Sequence, residues 1–400
     1  MSRVEQKILD FIIKHSTLFF LAIITLLAAL VRFQARGFLS ADMEFYLLPW
    51  YHEIKEGGGL TMLKQQVGNY NITYQFCIAL MTYVENVNPI FLYKGLSMLF
   101  DFLLAAVTGL TVYELSEKKN PALSAIAYGA VLFFPTVLLN SSFWGQCDAI
   151  YTFFVILSLY LLLRNKTKTA FAMLGVAVAF KLQAMFILPF LLIYYVLEKR
   201  YSILHYLISL AAFYIMSLPG VLGRHSLLAP FRIYANQKGS WTELYKNFPS
   251  FLVFFGNEWE TYEAVSRVIF LMIIALFGIA LLYFMQKKIP LYRTKYFILM
   301  AAWSVWTCVL FLPEMHERYG YLLDILLLLV LFFEHRYAAA ILPAFVSGII
   351  TYSCYLFHRD YNLVALSVLY TAAYFTYTYL FIRQMNKDTV RLDEAAPACK

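Results

Sequence analysis

Long apolar runs alternate with short polar segments along almost the whole chain. A helix needs roughly 20 apolar residues to cross a membrane, and many of these runs reach or approach that length. The pattern therefore predicts an all-α, polytopic integral membrane protein with one domain over residues 1–400. The runs lie near residues 17–33, 90–114, 121–139, 148–163, 202–220, 264–285, 296–312, 320–333, 338–355 and 361–382.

The stretch 169–197 differs from the other runs because basic clusters flank both of its ends. If both clusters are cytoplasmic, as the positive-inside rule predicts, this single run must enter the membrane and return as two short helices. Its apex would lie at Phe180–Gln183. With this hairpin the sequence predicts about 12 transmembrane segments, cytoplasmic termini and a cytoplasmic tail over 383–400.

Composition agrees with this class and excludes others. Hydrophobic residues make up 62% of the chain, charged residues only 14%, and the mean hydropathy is +0.66, so a soluble domain is excluded. The formal charge of +8 is spread over short clusters between apolar runs, which is typical of membrane anchoring and not of nucleic-acid binding. The five cysteines show no paired spacing, and we expect them to be unbridged.

Two long segments, 34–89 and 221–263, are predicted as external loops. In the first, Pro49 can open a helix that ends at Gly57, and a second amphipathic stretch follows over 72–84. We expect both to lie on the membrane surface. The second stretch would direct its large apolar side chains to the interface, namely Tyr74, Phe76, Leu80 and Tyr83. The aromatic residues of the second loop are candidates for acceptor selectivity, namely Trp241, Tyr245, Phe248 and Trp259.

Polar clusters recur at the predicted outer ends of the helices. They are Ser40–Glu44, Asn140–Asp148, Lys181–Gln183 and Pro313–Tyr319. Such a set fits a reaction in which a carboxylate takes a proton from an attacking hydroxyl while Lys, His and Arg stabilise a departing phosphate. A lipid carrier would suit this leaving group, because its chain can stay in the bilayer while its phosphate meets the cations.

These clusters together resemble the GT-C superfamily of polyprenyl-phosphate-sugar-dependent glycosyltransferases. The resemblance runs from Ser40–Glu44 and Leu48–Trp50 to Met315–Tyr319, and is greatest to bacterial proteins related to the second mannosyltransferase of GPI-anchor assembly. It implies surface-lying helices in the first external loop, an active site on the extracytoplasmic face, and an inverting transfer. It also implies that Asp42 is the catalytic base and that Glu44 assists, although Glu44 stands where some relatives have a second Asp.

The remaining site residues are assigned from their clusters. Lys181, His316 and Arg318 are candidate ligands of the donor phosphate. Trp144, Gln146, Asp148 and Gln183 are candidate substrate-binding residues. No group of His and Cys has metal-ligand spacing, so no metal or other cofactor is predicted, and a divalent cation held by the two acids at the donor phosphate stays an alternative.

Each residue also has a structural alternative. The acids of Ser40–Glu44 could cap a helix, Glu314 could pair with Arg318 at a spacing of i to i+4, and Lys181 could extend to the bilayer edge. Trp144 could belong to an interfacial aromatic belt, and the polar residues nearby could cap helix ends. Asp101, in the middle of a span, is expected to have an interhelical partner, and Asp324 is a candidate for orienting Arg318 or a neighbour of it.

The sequence therefore predicts a cell-membrane glycosyltransferase that moves a hexose, with mannose as one candidate, from a polyprenyl phosphate to a glycan, a glycolipid or a cell-envelope polymer. The alternatives are a transporter or flippase of lipid-linked glycans, and a polymerase or oligosaccharyl transferase that uses a diphosphate carrier. No internal repeat of the kind found in transporters is evident. The expected partners are the lipid-linked donor, the acceptor and membrane lipid.

Overall fold

A computed structural model describes residues 1–116, 119–237 and 243–395. The described chain is almost entirely helical, which confirms the predicted all-α class. Two-residue strands β1 (Tyr245–Lys246) and β2 (Met315–His316) pair in parallel. The helices are α1 (Arg3–Lys14), α2 (Ser16–Ala35), α3 (Leu48–Glu56), α4 (Ile72–Met81), α5 (Pro89–Leu115), α6 (Pro121–Leu132), α7 (Pro135–Leu138), α8 (Asp148–Leu163), α9 (Thr167–Phe180), α10 (Leu188–Glu198), α11 (His205–Arg224), α12 (Ala229–Gln237), α13 (Trp259–Lys287), α14 (Lys295–Phe311), α15 (Tyr321–Phe333), α16 (Ala338–Leu356) and α17 (Leu363–Ala395).

Six helices of the described residues are long and apolar enough to cross a membrane, or seven if the bent pair α6 and α7 with the following turn is one span. This number is lower than the 12 segments that the sequence predicts, because six further apolar helices have only 10–17 residues. The protein is nevertheless a polytopic membrane protein. The six long segments are Ser16–Ala35, Pro89–Leu115, His205–Arg224, Thr261–Lys287, His335–Leu356 and Leu363–Thr389.

The predicted break at 180–183 is present. Helix α9 ends at Phe180, and Lys181 is extended (φ −155°, ψ 135°). A 3₁₀ segment, Leu182–Ile187, then leads into α10. Two short helices therefore take the place of one span, and Lys181 lies at their junction.

The first long loop has the predicted helices. A helix begins near Ala41, passes through a π-helical turn over Met43–Leu47 and continues as α3, with Pro49 in its first turn and Gly57 after its last residue. Helix α4 follows. Its predicted outward face is partly wrong, because Tyr74 is fully buried, whereas Leu80 and the nearby Tyr83 are exposed.

Charged side chains mark the two ends of the bundle. At the end of α5, the buried Glu114 pairs with Arg293 (2.8 Å), Lys119 (3.1 Å) and Arg164 (3.6 Å). Near the start of α5, Lys94 donates to the Phe38 carbonyl at 2.6 Å. Twenty residues of helix separate Lys94 from Glu114, or about 30 Å. Three basic residues, Lys119, Arg164 and Arg293, therefore meet at one end of α5.

Buried polar contacts join the helices between these ends. Asp101 pairs with Arg32 at 2.9 Å and accepts a hydrogen bond from Ser141 at 2.5 Å, which confirms the predicted interhelical partner. Asp324 instead accepts from Thr136 at 2.8 Å, so the expectation that it orients Arg318 is wrong. The four described cysteines are free, in agreement with the sequence.

Candidate active site

Asp42 lies at the centre of a buried polar cluster at the α5 end that carries Lys94. Its Oδ2 accepts hydrogen bonds from Gln146 (Nε2, 2.6 Å) and Arg318 (Nη1, 3.1 Å), and its Oδ1 accepts from Tyr355 (2.6 Å). The Gln146 Oε1 in turn accepts from Tyr70 at 2.5 Å. Four segments that are distant in sequence therefore position one carboxylate.

Asp148 forms the second half of this cluster. It is fully buried, pairs with Lys181 through Oδ1, and accepts from Asn140 through Oδ2 at 2.9 Å. The Nε of Arg318 lies 3.9 Å from the same Oδ2. Arg318 thus bridges the two aspartates, so the predicted base and the predicted phosphate ligands are brought together.

The backbone around Gly145 explains how Gln146 and Asp148 reach this position. A π-helical turn over Leu139–Trp144 ends at Gly145, which is left-handed (φ 78°). A Cβ at this residue would lie 2.4 Å from the Met43 Cε, so a side chain cannot be accommodated without movement. Ser40 donates to the Trp144 carbonyl at 2.9 Å and joins this turn to the segment that carries Asp42.

Arg318 is held by a loop and not by a helix. Residues 312–320 contain strand β2, and Glu314 is left-handed (φ 61°) and accepts from Tyr262. The structural alternative of an i to i+4 pair between Glu314 and Arg318 is therefore wrong, because the two side chains do not share a helical face. Instead, the loop turns Arg318 toward Asp42 and the Trp144 ring, whose centroid is 5.4 Å from its guanidinium carbon.

Burial alters the charges of this loop. Desolvation, reinforced by the nearby Arg318, lowers the pKa of His316 to about 3. His316 is therefore neutral near pH 7. The expectation that His316 contributes a positive charge to the binding of the donor phosphate is therefore wrong. Burial also raises the pKa of Glu317 to about 7, although Arg318 beside it acts in the opposite direction. The positive charge near this loop comes from Lys181, Arg318 and Lys246, and of these Lys181 and Arg318 line the cavity described below.

Three predicted site residues are positioned differently from the rest. The Glu44 side chain is exposed and makes no hydrogen bond or ion pair within the described residues, because it follows Asp42 by two positions on a helix and points away. Trp144 is fully buried, and its ring stacks on Tyr355 with centroids 4.5 Å apart. The ring lies behind Arg318 and is enclosed by protein, so the alternative position in an interfacial aromatic belt is wrong. Gln183 lines the cavity described below.

Sequence reasoning missed several residues of the cluster. Tyr355 lies near the end of an apolar helix, and Tyr70 is one of 31 tyrosines. Asn140 and Glu317 belong to the polar clusters found in the sequence, but no role was predicted for either residue. No local pattern distinguishes Tyr355 or Tyr70. Of the aromatic residues proposed for acceptor selectivity, Trp241 and the side chain of Trp259 lie outside the described part of the structure.

A cavity of about 1540 Å³ begins at the side of this cluster formed by Tyr70, Lys181 and Arg318, and continues between α10 and α13. Its polar end is formed by Tyr70, Lys181, His316, Arg318 and Tyr319. Beyond them most of the lining side chains are apolar, although Ser266 and Arg267 on α13 also face the cavity. The apolar residues include Leu188, Leu192, Val196, Phe270, Ile274, Phe277 and Leu281.

A polar, charged cluster at one end of a polytopic membrane bundle opens into a largely apolar groove, an arrangement that suits a membrane enzyme. Residues 141–248 match the family described as Mannosyltransferase (PIG-M), which indicates a glycosyltransferase. The matched segment contains Gln146, Asp148, Lys181 and Gln183. This match is consistent with the resemblance to GT-C-type mannosyltransferases that the sequence motifs indicate. A comparison with curated proteins gave no match.

Proposed function

We propose that the protein is an inverting glycosyltransferase that moves a hexose, mannose in the first instance, from a polyprenyl phosphate to a glycan, glycolipid or cell-envelope polymer on the extracytoplasmic face. The observation that carries this proposal is the continuous cavity that joins the cations Lys181 and Arg318 to an apolar groove. A phosphate and a long hydrocarbon chain on one molecule match these two parts.

The dimensions of the groove favour a lipid donor over a sugar nucleotide. Its α13 wall runs from Tyr262 to Leu281, and 19 residues of helix extend about 28 Å. The hydrocarbon core of a bilayer is about 30 Å thick. An isoprenoid chain that lies along α13 would therefore be in contact with protein through nearly the whole membrane, while its phosphate stays at the polar end.

The cluster provides the groups that the transfer needs. The acceptor oxygen attacks the anomeric carbon and forms the new glycosidic bond, while the bond between that carbon and the phosphate oxygen breaks. The acceptor proton passes to Asp42, and the electron pair leaves with the polyprenyl phosphate. Arg318 and Lys181 stabilise the charge that develops on the phosphate. Attack from the side opposite the phosphate inverts the anomeric carbon.

We also propose that no metal ion is needed. No group of three His, Cys, Asp or Glu side chains among the described residues could hold one. The acids of the site do not converge on one cation position, since Asp42 accepts from Arg318, Asp148 pairs with Lys181, and the exposed Glu44 points away from Asp42. Two fixed cations can perform the charge stabilisation that a metal performs elsewhere.

The charges at the two ends of α5 support an orientation of the site in the membrane. Lys119, Arg164 and Arg293 meet at the Glu114 end of α5, which the positive-inside rule assigns to the cytoplasm. Gly145 packs beside Lys94, near the other end of the same helix. We therefore assign Asp42 and its cluster to the extracytoplasmic side.

The proposal is tested with purified protein in nanodiscs, a polyprenyl-phosphate mannose and a panel of saccharide acceptors. Release of the lipid monophosphate supports the proposal. Release of a lipid diphosphate from a diphosphate-linked glycan would indicate the polymerase or oligosaccharyl transferase instead, and movement of the lipid across the bilayer without cleavage would indicate a flippase.

A groove variant makes this test specific. Gly278 lines the cavity, and a Cβ there would meet no atom within 4 Å, so the backbone tolerates a side chain at this position and Gly278→Phe adds bulk at the groove. We expect it to raise the donor KM by about tenfold, which corresponds to 1.4 kcal/mol. Gly95→Phe is the matched control, because Gly95 also faces open space but lies on α5, away from the groove. Equal donor KM values in the two variants would remove the groove assignment.

A further inference from the structure

An aromatic face extends from Asp42 along the helix of the first long loop. Asp42, Tyr46 and Trp50 are spaced i, i+4 and i+8 on one continuous helix, so their side chains lie along the same side. The Tyr46 and Trp50 rings have centroids 6.1 Å apart. Tyr46 is 49% exposed, and Trp50 is partly exposed. The face therefore begins at the proposed base and leads outward.

The Trp50 ring is held more rigidly than a residue of an interfacial belt requires. Gly68 is left-handed (φ 70°), and a Cβ on it would lie 2.6 Å from two atoms of the indole, so only glycine lets this backbone lie against the ring. On another side, the Tyr70 ring meets Trp50 edge-on with centroids 5.7 Å apart. Two neighbours thus fix the orientation of the indole.

Polar contacts lock the loop that holds Trp50. The Gln66 Nε2 donates to the carbonyls of Gly68 (2.9 Å) and Tyr70 (2.8 Å). The Gln66 Oε1 accepts from Arg224 (Nη1, 2.9 Å), a residue at the end of α11. Tyr70 then reaches Asp42 through Gln146. One connected set of contacts therefore fixes the aromatic face relative to the carboxylate.

We infer that this face, Tyr46 and Trp50, is an acceptor subsite that binds a saccharide ring next to the one that receives the transferred sugar. The inference rests on the proposed function. Aromatic faces bind the C–H surfaces of sugar rings by the same dispersion and burial that favour other aromatic contacts. Eight residues of helix separate Asp42 from Trp50, or about 12 Å. At this distance, the sugar ring whose hydroxyl faces Asp42 does not reach Trp50. A second ring is needed to contact Trp50, so the subsite selects acceptors with at least two sugar rings.

The test compares octyl α-mannoside with an octyl mannobioside as acceptors in nanodiscs, with polyprenyl-phosphate mannose as donor. For Trp50→Ala, kcat/KM with the two-ring acceptor should fall by at least about threefold, near the lower end of the range for one aromatic contact. The decrease with the one-ring acceptor, and in the slow hydrolysis of the donor by water, should be smaller, so that the ratio of the two kcat/KM values falls. Trp50→Phe should retain most of the two-ring preference.

Phe45→Ala is the control, because Phe45 is 67% exposed on the same turn but lies outside the face that contains Tyr46. Equal effects of Trp50→Ala on the two acceptors, or no effect on either, would overturn the inference and indicate a membrane anchor. Donor hydrolysis by the wild type without transfer to either mannoside would also overturn it, and would leave the donor chemistry standing. Absence of both transfer and hydrolysis would contradict the proposed function itself.

Discussion

Replacement of Arg318 by Lys tests whether the geometry of the guanidinium, and not only its charge, serves the donor phosphate. Arg318 lies between two carboxylates, 3.1 Å from Asp42 through Nη1 and 3.9 Å from Asp148 through Nε. Its planar group can direct several N–H donors toward a phosphate at once. A lysine keeps the positive charge, but its single ammonium cannot occupy the same set of positions.

The expected magnitude follows from the hydrogen bonds to the phosphate that a lysine cannot make. A lysine ammonium can replace one of two directed N–H donors, so the variant forms about one charge-assisted hydrogen bond fewer in the donor complex. Such a bond contributes roughly 1.5–3 kcal/mol. The donor KM should therefore rise roughly 10- to 150-fold. Because Lys retains the charge beside Asp42, the folded protein should persist, with a change in melting temperature of a few degrees.

The assay is the release of polyprenyl phosphate as a function of donor concentration at saturating acceptor. Arg164→Lys serves as the control, since Arg164 pairs with Glu114 at the other end of the bundle. A donor KM for Arg318→Lys that equals the wild-type value would refute the assignment of Arg318 to the phosphate. A loss of folded protein in the same preparation would instead assign Arg318 a structural role.

The remaining predictions concern the base, the buried acid, the interior ion pair and metal ions. Asp42→Asn should abolish transfer while the protein still inserts and folds, and near-normal turnover would remove the base assignment. Glu317 gains a negative charge beside Arg318 as the pH rises through about 7, so the donor KM should increase between pH 6 and 8. Glu317→Gln should make this profile flat, and an unchanged pH dependence would show that another group is responsible. Arg32→Ala should destabilise the protein by about 3–5 kcal/mol because it leaves the Asp101 carboxylate buried without its partner. The double variant with Asp101→Asn should recover part of this loss in thermal unfolding, whereas equal destabilisation would argue against an ion pair. Finally, EDTA should leave transfer unchanged, and a loss of activity that Mg²⁺ or Mn²⁺ restores would contradict the proposed metal independence.

Much of the architecture could be predicted from charge and hydropathy. The basic clusters on both sides of 169–197 predicted a broken segment, and the structure has a break at Lys181. The number of spans was overestimated because apolar runs were counted as crossings, whereas helices such as α8 and α15 have 16 and 13 residues. Hydropathy reports that a segment is buried in apolar surroundings, and not whether lipid or protein surrounds it.

The site could be predicted as a set of segments but not as a set of pairwise interactions. Asp42, Gln146, Asp148, Lys181 and Arg318 converge as expected. The contribution of individual side chains depends on local backbone geometry that spacing does not reveal. Glu44 points away because its segment is helical.

The loop that carries Arg318 shows the same limit of sequence reasoning. Pro313 predicted a helix in which Glu314 would pair with Arg318. The loop instead pairs with β1 through Met315–His316, a contact between residues about 70 positions apart. Tyr355, which donates to Asp42, approaches from a helix near the opposite end of the chain. Contacts of this kind arise from tertiary packing, which local patterns cannot encode.

The most direct test of the account is a cryo-EM structure of the protein in nanodiscs with a non-hydrolysable analogue of a polyprenyl-phosphate sugar. The account predicts density for the phosphate within hydrogen-bonding distance of Arg318 and Lys181, the anomeric carbon on the side of Asp42, and the isoprenoid chain between α10 and α13. A phosphate bound elsewhere, or a lipid chain that leaves the groove between α10 and α13 empty, would contradict it.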